Sequence, residues 1–321
     1  MGIETRYHPS AEQLALASTM EESLAAVLPR SRLHTGHDED AKVWSSLEEI
    51  GIFGIAVSEE QGGSGLGAVE EALIVMGLGR HLAAPGVLAT IGAAHVQSGE
   101  TAATIRGRRV AAAYRSGGRI VIVGDANTDL VLLRDRDEAT VYEAASSNLN
   151  AIDDRLWLAG LREAASLNEP LARFDASQIA RLRLIDAAAL AGICEATLDM
   201  AVAYAGTREQ FGRPIGTFQA VKHHCANMAI AARCARDQTN FAAVAIDEGR
   251  HDAALHVECA LFVAGSAALE NAGKNIQIHG GIGFSDEADP HLFIKRAQLL
   301  IAIAGGLEAA NRRIANTRVG W

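Results

Sequence analysis

The segment Thr207–Gln219 constrains the fold most, because two long stretches with helical periodicity meet there. Gly212 and Pro214 favour a turn, since proline cannot continue a helix and glycine adopts the backbone angles that turns require. The pattern predicts that Arg208 ends the first helix and that Thr217 caps the second. The chain is therefore expected to contain a hairpin of two antiparallel helices.

The same turn carries side chains that suit a ligand. Arg208 and Gln219 are planar groups with several hydrogen-bond donors, and they flank the aromatic ring of Phe211. This combination fits an anionic, partly aromatic molecule. Taken alone, a helical hairpin with a solvated arginine explains the segment better, so other parts of the chain must decide.

Three segments, in the same order along the chain, resemble signatures of the acyl-CoA dehydrogenase family. The turn resembles R-x-x-F-G-x-x-I-x-x-F-Q, and Gln277–Phe284 resembles the loop Q-I-x-G-G-x-G-[FY]. The segment from Trp44 to Gly67 resembles the third signature, near the family's N-terminus. Because all three are in register over nearly the whole sequence, the chain is identified as a member of this family, whose cofactor is FAD.

The resemblance and the hydrophobic periodicity predict a mainly α fold in three parts. We expect an N-terminal helical domain over residues 1–106, a short, reduced β-domain over 107–172 and a C-terminal four-helix bundle over 173–321. Ser10 and Gln13 form a capping-box pattern at the start of the first helix. The bundle helices should be about 30 residues, or roughly 45 Å, long.

The middle domain is predicted from four runs rich in β-formers and separated by Gly, Asp and Asn. These runs are Val110–Tyr114, Arg119–Val123, Leu130–Leu133 and Ala139–Tyr142. Two elements that the family places beside the flavin ring, T-E-x-x-x-G-S-D and W-I-[ST], are not recognisable here.

Composition excludes several classes of function. A formal net charge of −10 and the lack of a basic stripe argue against binding to nucleic acid. No apolar run approaches the roughly 20 residues of a membrane span. The N-terminus lacks the apolar core of a signal peptide, so a cytoplasmic protein is expected.

The four cysteines match neither a metal site nor a disulfide framework. They are Cys194, Cys225, Cys234 and Cys259. All fall in predicted helices, so they are interpreted as reduced thiols, and no metal site is predicted.

The family's catalytic glutamate has no counterpart. In the family it removes a proton from the substrate and lies in a Y-E-G-T-x-[EQ] motif; aligned without gaps, Gly305 takes its position and Leu307 that of the flavin-holding threonine. The second position at which the family carries this base falls near Leu182. Glu308 and Asp186 are the nearest carboxylates, each about one helical turn away. No catalytic residue is therefore predicted.

In the family homotetramer each flavin is bound by two chains, and the resemblance implies that this chain keeps only the neighbour's contribution. The predicted cofactor-binding residues, on the ADP half of FAD, are Arg208, Phe211, Gln219, Gln277, Gly280 and Gly281. This division is similar to that of the small, non-catalytic subunits of actinobacterial heterotetrameric (α2β2) dehydrogenases of steroid side chains.

Three functions stay open on the sequence alone. The first is a subunit of a heteromeric dehydrogenase of a steroid or cholesterol side-chain acyl-CoA in β-oxidation. A homologous catalytic subunit would share the FAD, and electron-transfer flavoprotein would accept the electrons. The second is a homomeric dehydrogenase with a displaced base, Glu308 or Asp186. The third is an inactive scaffold or regulatory subunit without flavin.

Overall fold

The computed structural model describes residues 6–34, 41–96, 105, 107–124, 128–144, 150–153 and 160–317. Across these ranges the chain forms nine α-helices, a seven-stranded sheet and a two-stranded hairpin. The helices are α1 (Ala11–Val27), α2 (Ala41–Glu49), α3 (Ala68–Arg80), α4 (Pro85–Ala93), α5 (Ala176–Thr207), α6 (Gln219–Asp247), α7 (Ala253–His279), α8 (Pro290–Ile303) and α9 (Leu307–Asn316). The strands are β1 (Val110–Ser116), β2 (Arg119–Val123), β3 (Leu130–Asp135), β4 (Glu138–Glu143), β5 (Asn150–Asp153), β6 (Leu161–Ala164), β7 (Pro170–Arg173), β8 (Glu209–Gln210) and β9 (Arg213–Pro214). The mainly α fold predicted from the sequence is confirmed.

Helix α1 begins with the predicted capping box. The Ser10 hydroxyl accepts a hydrogen bond from the Gln13 N–H at 3.2 Å, and the Gln13 side chain accepts one from the Ser10 N–H at 2.8 Å. Leu24 near the end of the helix is fully buried, whereas Leu14 is 45% exposed. The cap was predictable because it is local, whereas the buried face depends on how α1 meets α3.

The N-terminal helices pack closely against the bundle. A Cβ on Gly192 of α5 would lie 1.9 Å from the carbonyl oxygen of Met76 in α3, so only glycine permits this approach. At the start of α3, the Asp247 carboxylate from the end of α6 accepts hydrogen bonds from the N–H groups of Ala68 and Val69, at 2.6 and 3.0 Å. These contacts fix the N-terminal helices relative to α5 and α6.

The sheet has the strand order β5-β6-β2-β1-β3-β4-β7, with β1 and β3 parallel and the other neighbours antiparallel. Val110 and Ala112 of β1 face the helices and join the main core, while Ala111 and Ala113 belong to a smaller core on the opposite face. Strands β1–β4 confirm the four predicted runs. Strands β5–β7 were not predicted, because their residues have no strong β preference and they form by pairing with β6, β2 and β4.

The C-terminal part is built on three long helices. Helices α5, α6 and α7 contain 32, 29 and 27 residues, close to the predicted length, and each packs against the other two. Two shorter helices, α8 and α9, follow them. Both pack against α7.

The stretch Ala253–Phe284 is long and apolar enough to cross a bilayer, which the sequence analysis did not anticipate; among the described residues it is the one helical stretch that meets this test. Its contacts are those of a core helix. The Asn271 side chain donates hydrogen bonds to the carbonyl oxygens of Cys194 in α5 and Met228 in α6. Helix α7 is therefore the central helix of the bundle.

Candidate functional site

The two motif segments of the bundle meet at one end of it. Helix α6 returns between α5 and α7, so α5 and α7 run in the same direction and their C-terminal ends lie side by side. Ala205 of α5 and Ile278 of α7 pack with Met228 in one apolar cluster. The rings of Tyr204 and His279, 75 residues apart in the chain, stack with their centroids 4.0 Å apart.

The turn after α5 is closed by backbone hydrogen bonds. The Arg208 N–H donates to the carbonyl oxygen of Tyr204, and the Ile215 N–H donates to that of Arg208, both at 2.8 Å. Phe211 lies at the tip of this hairpin with a φ of +54°, a backbone conformation that non-glycine residues rarely adopt, and its side chain is 92% exposed. A strained and exposed aromatic residue indicates a constraint other than packing within this chain.

The predicted cap at Thr217 is wrong. The Thr217 hydroxyl donates a hydrogen bond to the carbonyl oxygen of Pro214 at 2.7 Å, and α6 begins only after Phe218, without a side-chain cap. The first N–H groups of α6 therefore face the same end of the bundle as Arg208, and none of the described residues caps them with a side-chain acceptor. A helix N-terminus in this state favours an anion nearby.

The glycine loop after α7 is open on its outer side. Gly280 has a φ of +67°, which explains glycine there, and a Cβ on Gly280 or Gly281 would meet no atom within 4 Å. The loop also exposes Ile282 and Phe284, at 52% and 73%. Backbone groups of this loop are thus accessible to a large ligand.

All six predicted cofactor-binding residues are exposed and lie at this end of the bundle. They are Arg208, Phe211, Gln219, Gln277, Gly280 and Gly281. In the part of the chain that the structure describes, the Arg208 guanidinium and the Gln277 amide make no hydrogen bond or ion pair within the protein, and the Gln219 amide only approaches His223, at 3.4 Å. Donors for an anion are therefore available at the junction of three helices.

His279 packs at this junction with its ring oriented by a hydrogen bond. Its Nδ1 lies 2.8 Å from the carbonyl oxygen of Asn275, so Nδ1 carries the proton and donates it. Burial lowers the pKa of the imidazole below its ordinary value of 6.5. The imidazole therefore presents a fixed aromatic face to the ring of Tyr204.

A second region contains Leu182, one of the two positions at which a catalytic base was sought. A cavity between α4, β1, β3, α5 and α8 is lined mainly by apolar side chains, including Leu182 and Ile303. The space that the centre of a water molecule can reach there is about 20 Å³. This is room for one or two waters and far too little for an acyl thioester.

A buried ion pair borders this cavity. Arg134 of β3 binds Asp186 of α5, and Asp186 is only 4% exposed. Burial raises the pKa of the Asp186 carboxyl, and the positive charge of Arg134 opposes that rise. Asp186, the first candidate for a displaced base, is therefore engaged by an arginine.

Gly305, Leu307 and Glu308 are not among the residues that line this cavity. Gly305 follows α8 with a φ of +90° and is exposed. Glu308, the second candidate base, is exposed and pairs with Arg312 at 2.8 Å. Leu307 packs against α7, since a Cβ on Gly265 would lie 2.5 Å from its side chain.

Charged side chains that the sequence analysis did not single out join the sheet to the helices beside Asp186. Arg183 of α5 pairs with Asp137 at 2.8 Å and with the buried Glu258 of α7 at 2.6 Å. Arg313 of α9 pairs with Glu258 at 2.8 Å. Within the ranges that the structure describes, no group of three His, Cys, Asp or Glu is arranged to hold a metal ion.

Both helical parts of the chain match models of known protein families. The model "Acyl-CoA dehydrogenase, N-terminal domain" matches residues 10–102, and the model "Acyl-CoA dehydrogenase, C-terminal domain" matches residues 173–320. The chain belongs to the acyl-CoA dehydrogenase family. Members of this family oxidise acyl-CoA thioesters and generally bind FAD.

Two relatives of this family member come from Mycobacterium tuberculosis. Acyl-CoA dehydrogenase FadE34 is 32% identical over 85% of the chain, which spans only 41% of the length of FadE34. Acyl-CoA dehydrogenase IpdE2 is 29% identical over 88% of the chain and 88% of its own length.

Two solved structures have the same fold as this family member. The ChsE4-ChsE5 complex from Mycobacterium tuberculosis contains a chain that matches with a TM-score of 0.76 at 24% identity, over 98% of this chain and 100% of that one. The Tcur3481-Tcur3483 steroid ACAD matches with a TM-score of 0.77 at 21% identity, over 95% and 97%.

Proposed function

We propose that this chain is one subunit of a heteromeric, FAD-dependent acyl-CoA dehydrogenase. It supplies the neighbour-side half of a shared FAD site, while a homologous partner chain carries the catalytic glutamate. The observation that carries the proposal is a contrast within one molecule. The end of the bundle offers donors around Arg208 that have no partner in the described part of the chain. Of the two positions of the family's base, Gly305 is exposed, and Leu182 lies beside a buried ion pair in a cavity with space for little more than a water.

The residues at the end of the bundle fit the ADP half of FAD. The Arg208 guanidinium would pair with a pyrophosphate oxygen, because it is exposed and has no acidic partner in the described part of the chain. The Gln277 amide would bond a phosphate or the adenine, and Gly280 and Gly281 would let the backbone approach. When bound, FAD supplies the acceptor for a hydride from the substrate β-carbon.

The chemistry is therefore divided between two chains. This chain holds and orients the dinucleotide end of the cofactor and leaves proton abstraction to its partner. The proposed substrate is a steroid or cholesterol side-chain acyl-CoA, by likeness to the Tcur3481-Tcur3483 steroid ACAD, and the ChsE4-ChsE5 complex supports a partner of the same fold. We further propose an α2β2 assembly in the cytoplasm, with electron-transfer flavoprotein as the acceptor.

The two alternatives have less support. A homomeric enzyme would need a displaced base, but Asp186 is held by Arg134 and Glu308 is exposed beside Arg312. A scaffold without flavin would not explain why the Arg208 guanidinium lacks a partner in the described part of the chain, or why Phe211 is strained and exposed.

The test compares the chain alone with the chain co-expressed with a homologous acyl-CoA dehydrogenase that carries the catalytic glutamate. We expect little flavin absorbance and no acyl-CoA oxidation from the chain alone. The co-purified complex should contain one FAD for each pair of chains. An active, yellow homo-oligomer would disprove the heteromer, and a stable complex without flavin would favour the scaffold.

Arg208→Ala in that complex tests the site itself. Loss of a charge-assisted contact should cost about 1.5–3 kcal/mol, or roughly ten- to a hundredfold in FAD affinity. Arg233→Ala is the matched control, because Arg233 is an exposed arginine that pairs with Asp237 one turn along α6. Equal FAD dissociation constants for both variants would show that the Arg208 turn is only a hairpin.

A further inference from the structure

Tyr204 connects the two loops of the proposed site. It lies one helical turn before Arg208, whose N–H donates to the Tyr204 carbonyl oxygen at 2.8 Å. Its ring stacks on His279, which directly precedes Gly280, with an angle of 22° between the ring planes. The Tyr204 hydroxyl approaches the carbonyl oxygen of His279 at 3.5 Å, a weak contact. The side-chain link between the loops beyond the apolar cluster of Ala205, Met228 and Ile278 is therefore the ring stack.

Each ring is held firmly from its own side. His279 is oriented by the 2.8 Å contact of its Nδ1 with the carbonyl oxygen of Asn275, one turn back in α7. Tyr204 packs against the apolar cluster that contains Ala205, Met228 and Ile278. Because each ring is held by its own helix, the stack couples the positions of the two helix ends.

The two loops must be spaced correctly to bind one ligand together. Arg208 contributes a charged group on one side, and the Gln277–Gly281 loop contributes an amide and accessible backbone on the other. A shift of one loop relative to the other would leave each group on its own helix. The two groups could then no longer contact the same ligand at the same time.

We propose that Tyr204 and His279 are positioning residues for FAD, whose stack sets the spacing between the Arg208 turn and the Gln277–Gly281 loop. The proposal rests on the proposed function of this end of the bundle. It assigns a role to two residues that need not touch the cofactor.

The experiment measures FAD dissociation constants of the reconstituted complex by flavin fluorescence, with thermal unfolding recorded in parallel. Tyr204→Leu removes the ring and should weaken FAD binding about three- to tenfold. Tyr204→Phe keeps the stack and should stay within about twofold of the unchanged complex. Tyr142→Leu is the matched control, because it removes a half-buried tyrosine from the sheet and should lower only the unfolding temperature.

A second readout separates positioning from mere stability. Arg208→Ala should weaken FAD binding less in the Tyr204→Leu background than in the unchanged background, because Arg208 is then no longer held opposite its target. If Tyr204→Leu does not assemble, His279→Leu repeats the test from the loop side.

The outcomes distinguish the two proposals. If Arg208→Ala alone has no effect on FAD binding, the proposed function fails. If Arg208→Ala weakens binding as expected but Tyr204→Leu does not, or if the Arg208 effect is equal in both backgrounds, the positioning role is overturned and the FAD site stands.

Discussion

Arg134 and Asp186 form an ion pair across the boundary between the sheet and the bundle, with side chains that are 11% and 5% exposed. Buried charges of this kind are stable only together, since desolvation of either one alone is costly. The pair joins β3 to α5 beside a cavity that holds little more than a water.

Removal of one member of this pair should destabilise the protein strongly. We expect Asp186→Ala to lower the free energy of unfolding by about 3–5 kcal/mol, because Arg134 would remain buried without its partner. The double variant Arg134→Met with Asp186→Leu should be near neutral, because it removes both charges. Urea unfolding of the isolated chain measures both, and equal losses for the single and double variants would show that the two charges are not coupled.

Gly305→Glu should not restore dehydrogenation to this chain. A carboxylate is useful only within reach of a bound substrate and a flavin ring, and the two elements that the family places beside that ring are not recognisable in this sequence. An assay of steroid acyl-CoA oxidation with an artificial electron acceptor, on the chain alone and with its partner, measures this. Turnover by the single chain, or a second active site in each heterodimer, would show that only the base is missing.

The backbone at Gly305 adds a stability prediction. Gly305→Ala should cost about 1 kcal/mol, since φ is +90° there, whereas Gly273→Ala in the interior of α7 should stabilise by about 0.5–1 kcal/mol. Both sites leave space for a Cβ, so the difference between the two variants isolates the effect of the backbone conformation on the free energy of unfolding. Equal changes in the free energy of unfolding would contradict the left-handed conformation at Gly305.

His34 should stabilise the protein at acidic pH. Its two ring nitrogens lie 2.8 Å from the carbonyl oxygen of Asp286 and from the Asp289 carboxylate, and Asp289 raises the pKa of the imidazole above 6.5. A raised pKa in the folded state gives a contribution that is complete below the unfolded value and is lost as pH rises through the folded value.

The comparison of unfolding temperatures from pH 5 to 9 tests this, with His34→Phe against the unchanged chain. The difference should be largest at low pH and shrink as pH rises. His251→Phe is the control, because His251 is exposed and its ring makes no hydrogen bond, ion pair or ring contact in the described part of the chain. A difference that grows with pH would reverse the sign and refute the assignment.

The four thiols should differ in reactivity. Cys194 is fully buried, and burial raises the pKa of its thiol well above the ordinary value, whereas Cys234 is exposed. Iodoacetamide labelling of the native chain at about pH 8, followed by mass spectrometry, should modify Cys234 first and Cys194 only on unfolding. Comparable rates at the two sites would mean that the bundle opens around α5.

The sequence predicted features whose causes are local. The capping box at Ser10 and the turn at Arg208 depend on a few neighbouring residues, so both were found. Thr217 was misassigned as a cap, because its hydroxyl bonds the carbonyl of Pro214 instead. Local rules identify a residue able to cap a helix but do not choose among its possible partners.

Features that depend on distant pairing were missed. Strands β5 and β7 lie at the edges of the sheet and are specified by their neighbours. The Arg134–Asp186 pair joins residues 52 positions apart, and neither residue suggests the other in the sequence. Motif resemblance named the six residues at the end of the bundle, but only the fold shows that Tyr204 and His279 connect them.

The charged cluster of Asp137, Arg183, Glu258 and Arg313 also bears on how such a chain can evolve. Each member balances another, so a mutant that loses one of them leaves a charge with fewer partners at the boundary of sheet and bundle. A lineage that changes one of these four residues would need a compensating change in another, because the single steps lower stability. Selection acting one mutation at a time would therefore retain the cluster.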